Sequence, residues 1–241
     1  MKVHIFIPCG VDLFFPEIGV KMVRILRQQS CEVVYNTAQV CCGKYAMYMG
    51  MEVEAKRIGQ KYIKDFFVEE PIVCPDSACV GYLKKHLHQL GLMQLENVRA
   101  VKIQDNLYEL TDFLVNVLGK KKLEVPYKGT LVLPTYPIES PRHKTLLMIQ
   151  QLLKVNDNLK VIRAKKKGFE VGSDILPLTA RKLSRRLLRQ YKDYLVEEAE
   201  ANFFVDADVN ALQYLKQYLQ ERKVLLKMMH TTDLLLEGKL G

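Results

Sequence analysis

The stretch Lys2-Val3-His4-Ile5-Phe6-Ile7-Pro8-Cys9-Gly10 decides how the rest of the chain is read. It is almost entirely apolar until Pro8 and Gly10 break it, which predicts a buried parallel strand over Lys2 to Pro8. Such a strand delivers Cys9 at its C-terminal edge, where ligand sites in open α/β sheets gather. Downstream, Pro16 to Gln29 places Ile18, Met22, Val23 and Leu26 on one helical face, and Glu32 to Tyr35 supplies a second strand. Strand, helix, strand is the opening of a βαβ unit.

Thr37 to Val40 then runs into Cys41-Cys42-Gly43. A buried helix face follows, traced by Val53, Ile58, Tyr62 and Phe66 with Ile63 and Phe67, and Pro71-Ile72-Val73 makes a third strand. Asp76 and Ser77 stand at a helix N-cap ahead of Ala78 to Leu90. Cys79 would lie in that helix's first turn, where the positive end of the dipole favours a thiolate. Leu107, Leu110, Leu114 and Leu118 predict an amphipathic helix. Gly119 to Gly129, with Lys120-Lys121-Lys122 and Pro126, reads as a linker.

The pattern then restarts. Gly129 to Pro134 followed by Thr135 parallels Val3 to Pro8 followed by Cys9, and Leu159 to Ile162 is a further strand. The expected fold is α/β, in two pseudo-repeated halves that are each a small parallel sheet flanked by helices. The first half, 1–118, carries every cysteine; the second, 129–241, carries none.

With 241 residues the chain can bury a sizeable core. No apolar run approaches the roughly 18 residues of a membrane span, and Lys2 to Pro8 is too short for a signal peptide, so a soluble, cytoplasmic protein is expected. Thirty-six basic against 27 acidic residues give a net charge of +9. A field of that sign steers towards anionic substrates or acidic partners, and no RNA or DNA motif accompanies it. Its most concentrated part is Arg181, Arg185, Arg189 and Lys192 at helical spacing, with no acid from 181 to 192. A solvated face and a docking surface both account for such a stripe.

Six cysteines confined to the first 79 residues favour metal or redox chemistry over a disulfide framework, which would spread bridges through the fold. Cys9, Cys41, Cys42 and Cys79 form a spaced set, with 31 residues between Cys9 and Cys41. Four thiolates suit a 4Fe-4S cluster and tetrahedral zinc alike. Cys31, beside Val33 and Val34, reads as a small buried hydrophobe. Cys74, ending the third strand, is placed to supply a further thiolate. Asp76 is either a cap or a carboxylate ligand. His86 and His88, beside Lys84 and Lys85, read as solvated or core-satisfied histidines. There is no glycine-rich phosphate loop, Ser-His-Asp order or nucleotide fingerprint, which leaves little support for catalysis without a metal or partner.

This spacing resembles the CCG, or cysteine-rich, domain, whose pattern is Cys, Cys-Cys and then Cys-x-x-Cys. The cysteine-rich component of heterodisulfide reductase has the full pattern and holds a non-cubane 4Fe-4S cluster; here Asp76 stands at the first cysteine of the last pair. Over essentially the whole chain the sequence is similar to the lactate utilisation protein A family, with glycolate oxidase iron-sulfur subunits among its cousins. The likeness rests on Cys41 to Ala46, Pro75 to Cys79, Glu109-Leu110-Thr111-Asp112-Phe113-Leu114, and Lys227 to Leu235. In the second half Lys166-Lys167-Gly168-Phe169 lines up with a Cys-Cys-Gly-Phe, and Asp208-Val209-Asn210-Ala211-Leu212 with an Asp-x-Gly-Cys-Leu.

The resemblance implies a 4Fe-4S cluster, rather than zinc, on Cys9, Cys41, Cys42 and Cys79. It gives His230 a structural or cluster-proximal role. It also implies an electron-transfer subunit of a system that oxidises L-lactate to pyruvate, working with a ferredoxin-like iron-sulfur protein and a LUD-type protein. A thiol/disulfide oxidoreductase subunit of heterodisulfide reductase type, and a non-redox zinc or partner-binding module, are the alternatives.

Overall fold

A computed structural model describes residues 1–90, 94–138, 140–164 and 179–241; the Lys166-Lys167-Gly168-Phe169 motif lies outside them. The chain divides into two compact units, Met1–Phe113 and Leu114–Gly241.

In the first unit β1 (Lys2–Ile5) pairs in parallel with β2 (Glu32–Tyr35) on one side and with β3 (Ile72–Cys74) on the other, and β4 (Leu107–Glu109) completes the order β2-β1-β3-β4. The connections are helical. Cys9 opens α1 (Cys9–Phe14), which leads into α2 (Pro16–Gln28); after β2 come α3 (Lys44–Tyr48) and α4 (Glu52–Phe66); after β3 come α5 (Ser77–His86) and α6 (Gln94–Asn106). Val3, Ile72, Val73 and Leu107 are fully buried, as expected of strands covered by helices on both faces. Phe6, Tyr62 and Phe66 form an aromatic knot with centroid distances of 5.0, 5.5 and 4.6 Å, in a core shared with Cys42, Cys74 and Cys79.

The second unit repeats the plan. β6 (Gly129–Leu133) lies between β7 (Leu159–Arg163) and β8 (Phe203–Asp206), with β9 (Lys227–His230) outside β8, in the order β7-β6-β8-β9 and parallel throughout. Its described helices include α8 (Pro141–Leu152), α9 (Arg181–Asp193), α10 (Val209–Glu221) and α11 (Thr231–Glu237). The two-repeat α/β fold expected from the sequence is therefore present. Among the described residues no helix is long and apolar enough to cross a membrane.

Two local readings need correction. Leu107 is not the start of a helix: it pairs with Ile72 as the first residue of β4, and α7 (Leu110–Asp112) begins only at Leu110. The leucine spacing misled because a buried strand residue and a buried helix face three positions on give the same apolar rhythm. The true boundary is marked by Glu109, whose side chain accepts from the backbone of Thr111 at 2.8 Å and of Asp112 at 3.3 Å. The expected linker contains structure as well, because β5 (Leu123–Glu124) pairs antiparallel with β10 (Lys239–Leu240).

Burial pushes the Glu109 carboxyl up to about 8, although the N–H groups of Thr111 and Asp112 favour its charged form. A carboxyl with a folded value above its unfolded value of about 4.3 binds its proton more tightly in the fold. Its stabilising contribution is therefore complete below that unfolded value and is lost as pH rises towards 8. The expected outcome is that Glu109→Gln, which keeps an acceptor but cannot titrate, removes a stability slope of up to about 1.4 kcal/mol per pH unit between about pH 5 and 8. Denaturant melts of both proteins across that range check it.

Candidate metal centre

The order in which the chain adds strands to the parallel sheet β2-β1-β3-β4 reverses between β1 and β3, the kind of switch point outside whose strand C-termini ligand crevices form in open α/β sheets. β1 ends at Ile5, short of the Pro8 expected from the sequence, and Phe6-Ile7-Pro8 carry the chain on to Cys9 at the start of α1. Cys79 follows β3, in the first turn of α5. Asp76 caps that helix, its Oδ1 accepting from the backbone N–H of Cys79 at 2.7 Å. The N-cap reading is what the geometry shows, and it holds Cys79 in place through its main chain.

The loop carrying Cys41 and Cys42 is pinned to the same edge. Gln39 accepts from the Ile7 N–H at 3.0 Å, and Lys61, itself paired with Asp65 at 2.6 Å, donates to the Ala38 carbonyl at 2.9 Å. Gly43 then turns the chain with φ of +83°, a left-handed conformation that side chains disfavour. A Cβ there would also meet Ile58 Cγ2 at 3.2 Å.

These elements bring four sulfurs together as two touching pairs, Cys9–Cys41 at 3.4 Å and Cys42–Cys79 at 3.4 Å. Cys42 and Cys79 are buried; Cys9 and Cys41 are partly exposed. The four are electrostatically unequal. Cys41 is held well below the usual thiol range because the neighbouring Cys42 and Cys9 side chains favour its charged form and the Gly43 N–H donates to its sulfur at 3.4 Å. Cys9 and Cys42 are correspondingly raised, first by their hydrogen bonds to Cys41 and then by burial. Cys79 receives a hydrogen bond from Cys42, yet burial and Asp76 leave it raised. The thiolate form is thus favoured most at Cys41 and least at its buried neighbours.

The other sequence candidates lie apart from these sulfur contacts. The buried Cys74 sulfur meets the backbone of Asp76, accepting from its N–H at 3.5 Å. Cys31 is buried near the Gln29 carbonyl at 3.8 Å. His230 belongs to the second unit, where it caps α11: its ring Nδ1 meets Thr232 Oγ1 at 2.9 Å, and its own N–H donates to Asp233 at 2.7 Å. Sequence reasoning missed Lys44. Only 1% exposed, it sits directly after Cys41-Cys42-Gly43, and its charge favours the thiolate form of Cys79. A cation beside a soft ligand set was the signal available in the sequence.

Among the described residues no three His, Cys, Asp or Glu side chains already surround one point as a closed metal cage. The donor chemistry nonetheless suits a soft metal, with four thiols gathered at one strand edge and a buried lysine nearby. Tetrahedral zinc with Zn–S of about 2.3 Å spaces its sulfurs about 3.8 Å apart, close to the contact within each pair. Each thiolate of a 4Fe-4S cluster binds its own iron, so the pairs must part to admit one.

A crevice of this kind at the switch point of a small parallel sheet defines a cysteine-rich α/β domain, and residues 3–84 match the family described as CCG, the cysteine-rich domain. Lactate utilization protein A of Oceanobacillus iheyensis is 30% identical over 246 residues, which cover 98% of this chain and 96% of that protein. Lactate utilization protein A 2 of Bacillus cereus strain Q1 is 29% identical over 252 residues, 99% of each chain. The chain belongs to the lactate utilization protein A family. Among solved structures, glutamate racemase from Francisella tularensis aligns with 98% of this chain and 78% of that one, at 11% identity and a TM-score of 0.41.

The Asp76 cap makes a separable prediction. Asp76→Ala is expected to cost about 0.5 to 2 kcal/mol, and Asp76→Asn, which keeps an acceptor for the Cys79 N–H, distinctly less. Thermal melts read the stability, and metal content measured alongside shows whether the carboxylate also ligates. A loss of metal in Asp76→Asn at unchanged melting temperature would assign it to the metal.

Proposed function

We propose that this protein is the iron-sulfur electron-transfer subunit of an L-lactate oxidation system that yields pyruvate. The observation that carries the reading is the meeting of Cys9, Cys41, Cys42 and Cys79 as two sulfur pairs at the sheet's switch point. These four residues would hold a 4Fe-4S cluster, which supplies one-electron redox chemistry when bound. The chain's own part is to orient the thiols, to exclude water around Cys42 and Cys79, and to offset their negative charge with Lys44 and backbone donors. The cysteine-bearing repeat, 1–118, does this work; the repeat over 129–241 has no cysteine. The names of the relatives support the lactate role. The protein works in the cytoplasm, with a ferredoxin-like iron-sulfur protein and a LUD-type protein as partners.

The 3.4 Å contacts favour a second reading, thiol/disulfide exchange. Closure of Cys9–Cys41 or Cys42–Cys79 to a disulfide would release two electrons and two protons to an acceptor disulfide, which is reduced to two thiols.

Iron and sulfide analysis of anaerobically prepared protein, with electron paramagnetic resonance, tests the first reading. Cys42→Ala is expected to lose most of its iron and sulfide, whereas Cys31→Ala keeps both. Zinc in stoichiometric amount would identify the binding-module alternative. Metal-free protein that cycles two thiols per pair against a disulfide would favour exchange.

The basic stripe is the proposed docking face for an acidic partner. α9 presents Arg181, Arg185 and Arg189 to solvent. Arg185 pairs with Glu221 at 3.1 Å and Lys192 with Asp193 at 2.6 Å, so Arg181 and Arg189 carry most of the uncompensated charge. Reversing Arg181 and Arg189 to Glu is expected to slow association with the iron-sulfur partner about tenfold at low salt, with the difference shrinking as ionic strength rises. Association kinetics over a salt series measure it; an on-rate indifferent to both would make the stripe a solvated face.

A further inference from the structure

The second unit has the same switch point, between β6 and β8, and polar side chains gather outside the C-terminal ends of those strands. Tyr136 donates to Asp206 Oδ2 at 2.6 Å, and Arg142 Nη1 lies 3.2 Å from Asp208 Oδ2 with its guanidinium 5.0 Å over the Tyr136 ring. Asp206 and Asp208 are fully buried and Arg142 nearly so. Both carboxylates also accept backbone N–H groups, Asp206 from Ala207 at 2.7 Å and Asp208 from Asn210 at 3.0 Å.

Arg163, the last residue of β7, is the exception to this pairing. Its Nη2 lies 3.2 Å from His143 Nδ1, but that same imidazole nitrogen lies 3.0 Å from the Tyr136 carbonyl. One imidazole nitrogen cannot both donate to the carbonyl and accept from the guanidinium, so one of the two contacts lacks its hydrogen bond. The Nε and Nη1 of Arg163 are buried and have no hydrogen-bond partner among the described residues. Buried guanidinium N–H groups without an acceptor are costly, and the acceptor that best completes them is an anion.

We propose that Arg163, with His143 beside it, binds the carboxylate of a small monocarboxylic acid. The planar fork of Arg163 N–H groups matches the two oxygens of a carboxylate better than a point charge does. The charge balance fits a monoanion. Arg142 and Asp208 cancel, and Asp206, which accepts from Tyr136 and from its own backbone, also favours the charged form of Arg163. A ligand bearing one negative charge therefore burdens the site less than a phosphate dianion does. The identification of this anion with the hydroxy or oxo acid of the proposed reaction rests on that reading; the site itself does not.

Titration calorimetry on the full chain with L-lactate, pyruvate, acetate and inorganic phosphate provides the test. The carboxylates are expected to bind saturably and phosphate more weakly. Arg163→Gln should weaken carboxylate binding by about tenfold or more, and Arg163→Lys, which keeps charge without the fork, by an intermediate factor. Should Arg163→Gln fail to fold, the thermal midpoint of the unsubstituted protein decides instead. It should rise with L-lactate and not with sulfate at equal ionic strength. Absent carboxylate binding, a preference for phosphate, or equal affinity in all three proteins would overturn the proposal, leaving those N–H groups to water. Iron and sulfide in Arg163→Gln should match the unsubstituted protein, and Cys42→Ala should still bind carboxylate. Metal-free protein that binds carboxylate would therefore sink the cluster reading alone.

Discussion

The parallel pairing of β1 with β3 is the constraint on which the cysteine crevice depends. His4 faces Ile72 and Ile5 faces Val73 across the ladder, and Phe6 extends the contact by donating to the Val73 carbonyl at 2.9 Å. That register places the turn after Pro8 beside the turn after Cys74, so Cys9 and Cys79, far apart in sequence, emerge at one edge. The loop bearing Cys41 and Cys42 must then be drawn to that edge by polar anchors, since it leaves from the outer strand β2. Gln39 and Lys61 serve this purpose. Without the β1–β3 register the four sulfurs belong to three unrelated loops; with it they need only local turns to meet.

The same geometry explains why the thiols differ. A single thiolate among buried neighbours is cheapest where the most donors converge, and Cys41 lies between Cys9, Cys42 and the Gly43 N–H. Burying two or more thiolates together would set like charges in contact within a low-dielectric site. Lys44 offsets part of that, and a metal would offset far more by replacing the protons outright. The positive-φ turn at Gly43 matters here because it aims the backbone N–H back at Cys41 while freeing Lys44 to begin the next helix.

Much of this was legible in the sequence. The apolar run from Lys2, the turn residues around each cysteine and the Asp76 cap are local signals, and Pro8 just past the strand marks the edge at which Cys9 emerges. β4 was hidden because three buried or half-buried residues running directly into a helix preserve the helical rhythm, and only the Glu109 cap shows the break. The pairing of sulfurs was also illegible. Spacing identifies the four cysteines but not which of them touch, a matter decided by the Gln39 anchor and the Gly43 turn. The crevice of the second unit was missed for a different reason. Tyr136, Arg142, Arg163 and Asp206 have no short motif in common, and only strand order brings them together.

The two units show what happens to this architecture when the thiols are absent. In each, the third strand ends in a buried residue, then an aspartate caps the following helix three residues before a small side chain: Cys74, Asp76 and Cys79 in the first unit, Asp206, Asp208 and Ala211 in the second. The fourth strand likewise ends on a capping residue, Glu109 in one and His230 in the other, each closing its cap on a nearby threonine. The caps recur because the backbone needs them whatever the crevice holds. What changes is its filling. Where the first unit gathers soft, weakly hydrated sulfurs, the second gathers hydroxyl, carboxyl, imidazole and guanidinium groups, which bury only when hydrogen-bonded or paired. Within the described part of that network the donors of Arg163 outnumber their acceptors, so the second cluster favours an anion where the thiols of the first suit a soft metal ion.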